Sequence, residues 1–238
     1  MISRGPSVFA VPLLTGASLF LALLLGARAA EGPGVETVLA PRKGFHVTTR
    51  LLFVVDVSGS MEGEGEQAIA AVRRVLEGPT DELQAGVIAF ADQPTRWGGV
   101  PEPCEHPKEE AHTRHCVLAG WASFPGRNKE LLAWLRSVKP SGGTDAAKAL
   151  KVALADPTDR LTVVLVSDGI FDGEAALNAL RAGQAARKKR KLAPAGVMVW
   201  ATTPNAAASG ALQALAKVGG GGLWLEREGG EAEAREKD

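Results

Sequence analysis

Three short stretches of this chain carry oxygen ligands at spacings that suit a hard cation. The first is Asp56-Val57-Ser58-Gly59-Ser60, which follows the apolar run Leu51-Leu52-Phe53-Val54-Val55. The second is Ser141-Gly142-Gly143-Thr144-Asp145, and the third is Val166-Ser167-Asp168-Gly169. A carboxylate at the mouth of a buried strand costs several kcal/mol of desolvation unless something pairs with it. The nearest cations in sequence are Arg50, at the far end of that run, and Arg73, well along the next segment. A metal ion is therefore the natural partner of Asp56. Mg²⁺ demands near-octahedral oxygen and keeps waters because it dehydrates reluctantly. The hydroxyls of Ser58, Ser60 and Thr144 and the carboxylates of Asp56 and Asp168 could supply those oxygens directly or through water. Neutral hydroxyls cancel less of the ion's charge than carboxylates would, so such an ion would still attract an external acid.

The elements that must position these residues follow from periodicity. Residues 50–57 and 160–167 are apolar without alternation, which fits strands buried on both faces of a sheet. Further strands are expected at 87–90, 197–202 and 223–225, with 95–100 returning as a short antiparallel edge strand. Helices are expected at about 62–77, with Ile69, Val72 and Leu76 on one face, and at 173–190. The faces Leu131/Trp134/Leu135/Val138 and Ala147/Leu150/Leu154 mark two more, and 207–218 a short one closed by the glycine run Gly219 to Gly222. Strands alternating with helices imply a parallel sheet with right-handed crossovers. Sites in such sheets lie outside the carboxyl ends of the strands, where Asp56 and Asp168 fall.

In this order, Asp56-x-Ser58-x-Ser60, Gly143-Thr144-Asp145 and Ser167-Asp168-Gly169 resemble the three loops of von Willebrand factor type A domains. The resemblance spans residues 48–225. It implies a Rossmann-like, doubly wound α/β fold with a mostly parallel six-stranded sheet, one antiparallel edge strand and helices on both faces. It also implies a metal-ion-dependent adhesion site holding Mg²⁺ or Mn²⁺. There Ser58, Ser60 and Thr144 would touch the ion, while Asp56 and Asp168 would act mostly through bound waters or hydroxyls. A partner protein's acidic residue would take the remaining position.

Each residue also has a plainer reading. Ser60 could cap the first helix, Thr144 or Asp145 the third, and Asp168-Gly169 could be a turn. Glu62, Glu64 and Glu66 would favour the positive end of a helix dipole. Alternatively Glu62 or Glu64 could fold over the ion, making the site structural or autoinhibited. Gly63-x-Gly65-x-x-Ala68 echoes a dinucleotide fingerprint, but it begins well past the strand end, where that motif has no use. A metal-dependent hydrolase is a minor alternative. Position 58 is not a second acid, no histidine lies in the three loops, and a serine nucleophile would lack a base, so the chain is read as non-enzymatic.

Composition bounds the rest. The chain has 238 residues, 45% hydrophobic and 23% charged, which suits one globular domain with tails. Its 27 basic residues balance 27 acidic ones, which gives no reason to expect nucleic-acid binding. Residues 1–29 read as a secretory signal peptide: Arg4, an apolar stretch 8–26, then Ala27-Arg28-Ala29. Secreted or periplasmic export follows, with no membrane insertion after cleavage and an N-terminal anchor if the signal is retained. Residues 30–47 read as a linker and 226–238 as an acidic disordered tail. An insertion at 98–126 holds Cys104 and Cys116, expected as a disulfide, together with His106, His112 and His115, which leave zinc as the rival. That loop is a second candidate surface for a protein partner. The basic run Arg187 to Lys191 is expected to be a solvated helix end.

Overall fold

The computed structural model describes residues 35–45, 47–48, 50–76, 84–98, 121–123 and 128–226. Residues 1–29, read as a signal peptide, most of the insertion at 98–126 with its expected Cys104–Cys116 disulfide, and residues 227–238 lie outside the described residues. Eight strands form one mixed sheet: β1 (Val35–Leu39), β2 (Arg50–Asp56), β3 (Gln84–Phe90), β4 (Pro94–Arg96), β5 (Ala122–Ser123), β6 (Leu161–Ser167), β7 (Gly196–Ala201) and β8 (Gly220–Glu226). Seven run in the order β1-β8-β7-β6-β2-β3-β4, while β5 pairs with β3 beside β4. The helices are α1 (Gly65–Leu76), α2 (Asn128–Ser137), α3 (Ala146–Ala155), α4 (Gly173–Lys189), α5 (Pro204–Ala208) and α6 (Gly210–Gly219).

The α/β architecture agrees with the sequence, and the five parallel strands β3, β2, β6, β7 and β8 form its centre. The strand count does not agree. Six strands were expected, and β1 and β5 join them. β1 lies within 30–47, read as a linker, and pairs antiparallel with β8, so the sheet has an antiparallel strand at each edge rather than at one. Its five residues sit between Gly-Pro-Gly and Pro41, and only pairing with β8 makes them a strand.

Side-chain alternation sends the central strands' residues into two cores. Leu52, Val54, Ile88, Val163 and Leu165 pack under α3, α4 and α6, while Leu51, Phe53, Val55, Val87 and Val164 pack under α1 and α2. The glycine run after α6 serves two elements. Gly220 closes the helix in the left-handed conformation at φ 76°, and β8 begins there. A Cβ at Gly221 would strike the Val197 carbonyl, so β7 and β8 approach more closely than any side chain permits.

One member of the basic run departs from expectation, while Lys188, Lys189, Arg190 and Lys191 are exposed. Arg187 is 0% exposed, in line with Ala176, Ala179 and Leu180 on the buried stripe of α4. Its guanidinium donates to the carbonyls of Asp156 at 2.9 Å, Thr158 at 2.8 Å and Ala193 at 3.0 Å. Arg187 thus ties the ends of α3 and α4 to the entrance of β6. The position is eleven residues after Ala176, about three helical turns, which returns it to the same face. Arg187→Ala, which leaves three carbonyls without donors, should cost about 3 kcal/mol in urea denaturation. Arg187→Lys should recover little of it, because one ammonium cannot span the fork.

Candidate functional site

The strand order reverses at β2, which has β3 on one side and β6 on the other. The carboxyl ends of β2 and β6 therefore flank a switch point, and the chain places Asp56 at one and Asp168 just beyond the other. Asp56 is 1% exposed. Its Oδ1 accepts from the Ser58 amide at 3.0 Å and its Oδ2 from the Ser167 hydroxyl at 2.7 Å. Ser58 is buried, and its Oγ lies 3.0 Å from that of the exposed Ser60, within the 3₁₀ turn Gly59–Met61.

The second loop is locked to the first by backbone bonds. Ser141 N donates to Val57 O at 2.9 Å, and Gly59 N donates to Gly142 O at 3.0 Å. Gly142 holds φ +74°, and a Cβ there would strike Asp92 Oδ2. Asp92 Oδ1 accepts from Gly143 N at 3.0 Å, and Asp145 N donates to Ala91 O at 2.9 Å. Thr144 is half-buried in this loop and lines an open cleft of about 420 Å³ with Asp92, Asp145, Lys148 and Asp172. Asp145 also caps α3, accepting from Lys148 N at 2.9 Å, and this bond holds its carboxyl below the usual range.

The third loop contributes Asp168, 6% exposed. Its Oδ1 accepts from Ile170 N at 2.9 Å, closing a turn with Gly169 at φ +78°. Its Oδ2 is buried without a hydrogen-bond partner. Two buried carboxylates thus stand at the ends of neighbouring strands, and no ion pair satisfies either among the described residues. Burial pushes the Asp56 carboxyl up, and the nearby Asp168 charge adds to this, against the Ser58 and Ser167 hydrogen bonds. An orphaned carboxylate oxygen and an excess of buried negative charge fit a divalent cation. Among the described residues no three Asp, Glu, His or Cys side chains converge. A cation here would rely on hydroxyls, as the motif suggests.

Several residues have local partners that the sequence did not foretell. Ser167 anchors Asp56, and its Oγ also accepts from Gly169 N at 3.0 Å. Asp92 organises the Thr144 loop, its Oδ1 holding Gly143 N from the segment after β3. Glu64 Oε2 accepts from Thr202 Oγ1 at 2.6 Å, and Thr202 N donates to Ser167 O at 3.3 Å. Glu64 is thereby tied to the β6 and β7 ends, while Glu62 is exposed.

No family model and no curated protein matches the chain. Among solved structures, it is similar to a von Willebrand factor type A protein from Catenulispora acidiphila, at 12% identity and TM-score 0.45, over 73% of this chain and 42% of that one. It is similar to the D319A mutant of the PilB minor pilin from Streptococcus sanguinis, at 12% identity and TM-score 0.47, over 81% and 60% of the two chains. It is also similar to proximal thread matrix protein 1 from the mussel byssus, whose structure has a zinc-occupied MIDAS motif, at 16% identity and TM-score 0.41, over 64% and 35%. The chain therefore spans less than two thirds of the length of each.

The raised Asp56 carboxyl has a signed consequence for the metal-free protein. A folded-state pKa above the unfolded value makes protonation stabilising, so that contribution is complete below the unfolded value and is lost as pH rises through the folded one. Asp56→Asn keeps an acceptor for Ser58 N and carries no charge. In metal-free buffer its Tm should exceed wild type by about 3 °C at pH 7 and converge with it toward pH 4. Differential scanning calorimetry across that range checks both the sign and the convergence.

Proposed function

We propose that the carboxyl end of this sheet is a divalent-metal site, for Mg²⁺ or Mn²⁺, and that the chain is an exported, non-enzymatic module that binds another protein through it. The observation that carries this reading is the buried, unpartnered Asp168 Oδ2 beside the buried Asp56 carboxylate. Ser58, Ser60 and Thr144 would offer neutral oxygens, and Asp56 and Asp168 would act through water or hydroxyl groups. A bound divalent ion would supply an electrophilic centre able to accept an acidic side chain of the partner.

The chain's own residues prepare that site. Ser167 orients Asp56, and the Ser58 amide holds its second oxygen. The bonds from Ser141 and Gly59 fix the Thr144 loop against the first loop before any ion arrives. This preorganisation lowers the ordering cost of binding. The three loops hold no histidine, and the carboxylate bonded to a serine hydroxyl there, Asp56 on Ser167, is buried, which supports binding rather than hydrolysis. The autoinhibited alternative needs Glu62 or Glu64 to close over the ion; Glu64 would first have to give up Thr202, while Glu62 is exposed. The other alternative, recognition through the Cys104–Cys116 loop, falls outside the described residues. Export rests on the signal-like residues 1–29.

Millimolar Mg²⁺, at about a hundred times its dissociation constant, should stabilise metal-free protein by nearly 3 kcal/mol, a rise in Tm of several degrees. Asp168→Ala should abolish that rise. No metal-dependent shift in wild type would defeat the metal reading. Polyglutamate should bind in Mg²⁺ and be released on metal removal, and binding that persists without metal would place acid recognition elsewhere.

A further inference from the structure

A second cleft, of about 380 Å³, lies between the start of α1 and the end of α2. Its floor is apolar. Val55 and Val57 at the end of β2, Met61 after the Ser60 turn, Ile69 on α1, and Leu135 and Val138 on α2 line it. Glu62 and Glu66 stand exposed on the α1 side of its mouth, and Arg136 and Pro140 on the α2 side. Gly63 and Gly65 line it without side chains, and no atom lies within 4 Å of where a Cβ would stand at either. Val57 and Val138 pack on the core beneath yet remain half-buried, so apolar surface is left for a further group. The volume is that of a small ligand cleft.

This cleft and the Asp56 centre share their walls. Asp56 and Val57 belong to both. Met61 directly follows Ser60, and Pro140 directly precedes Ser141, whose amide donates to Val57 O at 2.9 Å. Neighbouring Cα atoms are about 3.8 Å apart, so the apolar floor begins one residue from the loop hydroxyls. An extended polypeptide advances about 3.3 Å per residue. A side chain one to three positions from an acid seated at the metal centre therefore comes within reach of the cleft. The charges at the mouth select the kind of occupant. Glu62 and Glu66 repel the anionic headgroups of a membrane, whereas the amides and carbonyls of a polypeptide meet acceptors in the glutamates and donors in Arg136.

Resting on the metal-site reading, we propose that the cleft between α1 and α2 receives a large apolar side chain of the same partner segment whose acid binds at the Asp56 centre. The element recognised is then a pair, an acid and an aromatic or branched aliphatic group one to three residues away. Metal capture alone would accept any exposed carboxylate. The cleft selects among them, because burying a Phe side chain there favours its segment by about tenfold or more.

The test titrates the full protein in Mg²⁺ with blocked, dye-labelled hexapeptides that hold one Asp and one Phe, the Phe one, two or three positions to either side. Fluorescence anisotropy compares each with the same peptide carrying Ser in place of Phe. At least one Phe register should bind about tenfold more tightly than its Ser counterpart. Val138→Asp puts a charge on the floor, and Gly65→Leu places a side chain where no atom now stands. Each should cut the Phe advantage to about twofold or less while keeping the rise in Tm with Mg²⁺. Equal binding of Phe and Ser peptides by a protein that shows the Mg²⁺ rise overturns the cleft and leaves the metal reading standing. A Phe advantage that survives either variant, or Phe peptides that bind as well in EDTA, overturns it too. So does N-acetylphenylalaninamide binding as tightly as the best peptide, which would make the cleft a small-molecule site, or a Mg²⁺-dependent dimer lost in Val138→Asp, which would give it to a second copy. Absence of the Mg²⁺ rise in wild type overturns the metal reading and the cleft's role together.

Discussion

The hydrogen bond from Ser167 to Asp56 is the contact on which the carboxyl pole depends. It joins β6 to β2 beyond their backbone ladder and holds a buried carboxylate in one orientation. The cost of keeping Asp56 there is set by desolvation, and two donors offset only part of it. The arrangement resembles a compressed spring more than a cross-link. Much of what surrounds it makes sense as restraint: the Gly59–Gly142 bond, the Asp92 hook on Gly143, and Thr202 bonded at once to Ser167 and Glu64.

The opposite pole is built on the reverse charge. There the fold places three guanidinium groups around the short turn between α3 and β6, and Arg187 treats that turn as a set of carbonyl acceptors. The α/β layout separates the two ends by the full length of β2, seven residues, or about 23 Å. Acidic groups gather where strands finish, and basic groups where they start. A sheet flanked by helices on both faces leaves only its two ends open to chemistry, so polar function concentrates there while the faces are filled with Leu, Val and Ala.

Legibility from sequence followed the strength of the local signal. The unbroken apolar runs of β2 and β6 had no competing interpretation, and the acids that end them pointed to the switch point. The Thr144 loop was recognisable because its glycines and hydroxyl fall between two amphipathic stretches. By contrast β1 has no identity without β8, since five alternating residues between prolines and glycines are a strand only when a partner supplies the ladder. Arg187 was hidden by its neighbours: four more cations follow within Lys188 to Lys191, and charge density suggested solvent although helical phase pointed inward. The contacts of Ser167 and Glu64 were not foreseen, for another reason. Their partners are 111 and 138 residues away, a distance over which a single chain carries no pattern.

The pairing of β1 with β8 has a mechanical side. Val35, the first residue of β1, stands opposite Glu226, the last of β8, so chain enters and leaves the described unit at the same corner. Tension applied through both ends would load that antiparallel pair from its open end, one hydrogen bond at a time, rather than all bonds in parallel. β1 would peel away first, and the joined carboxyl ends of β6 and β2, three and four strand positions inward, would feel no load until it had gone.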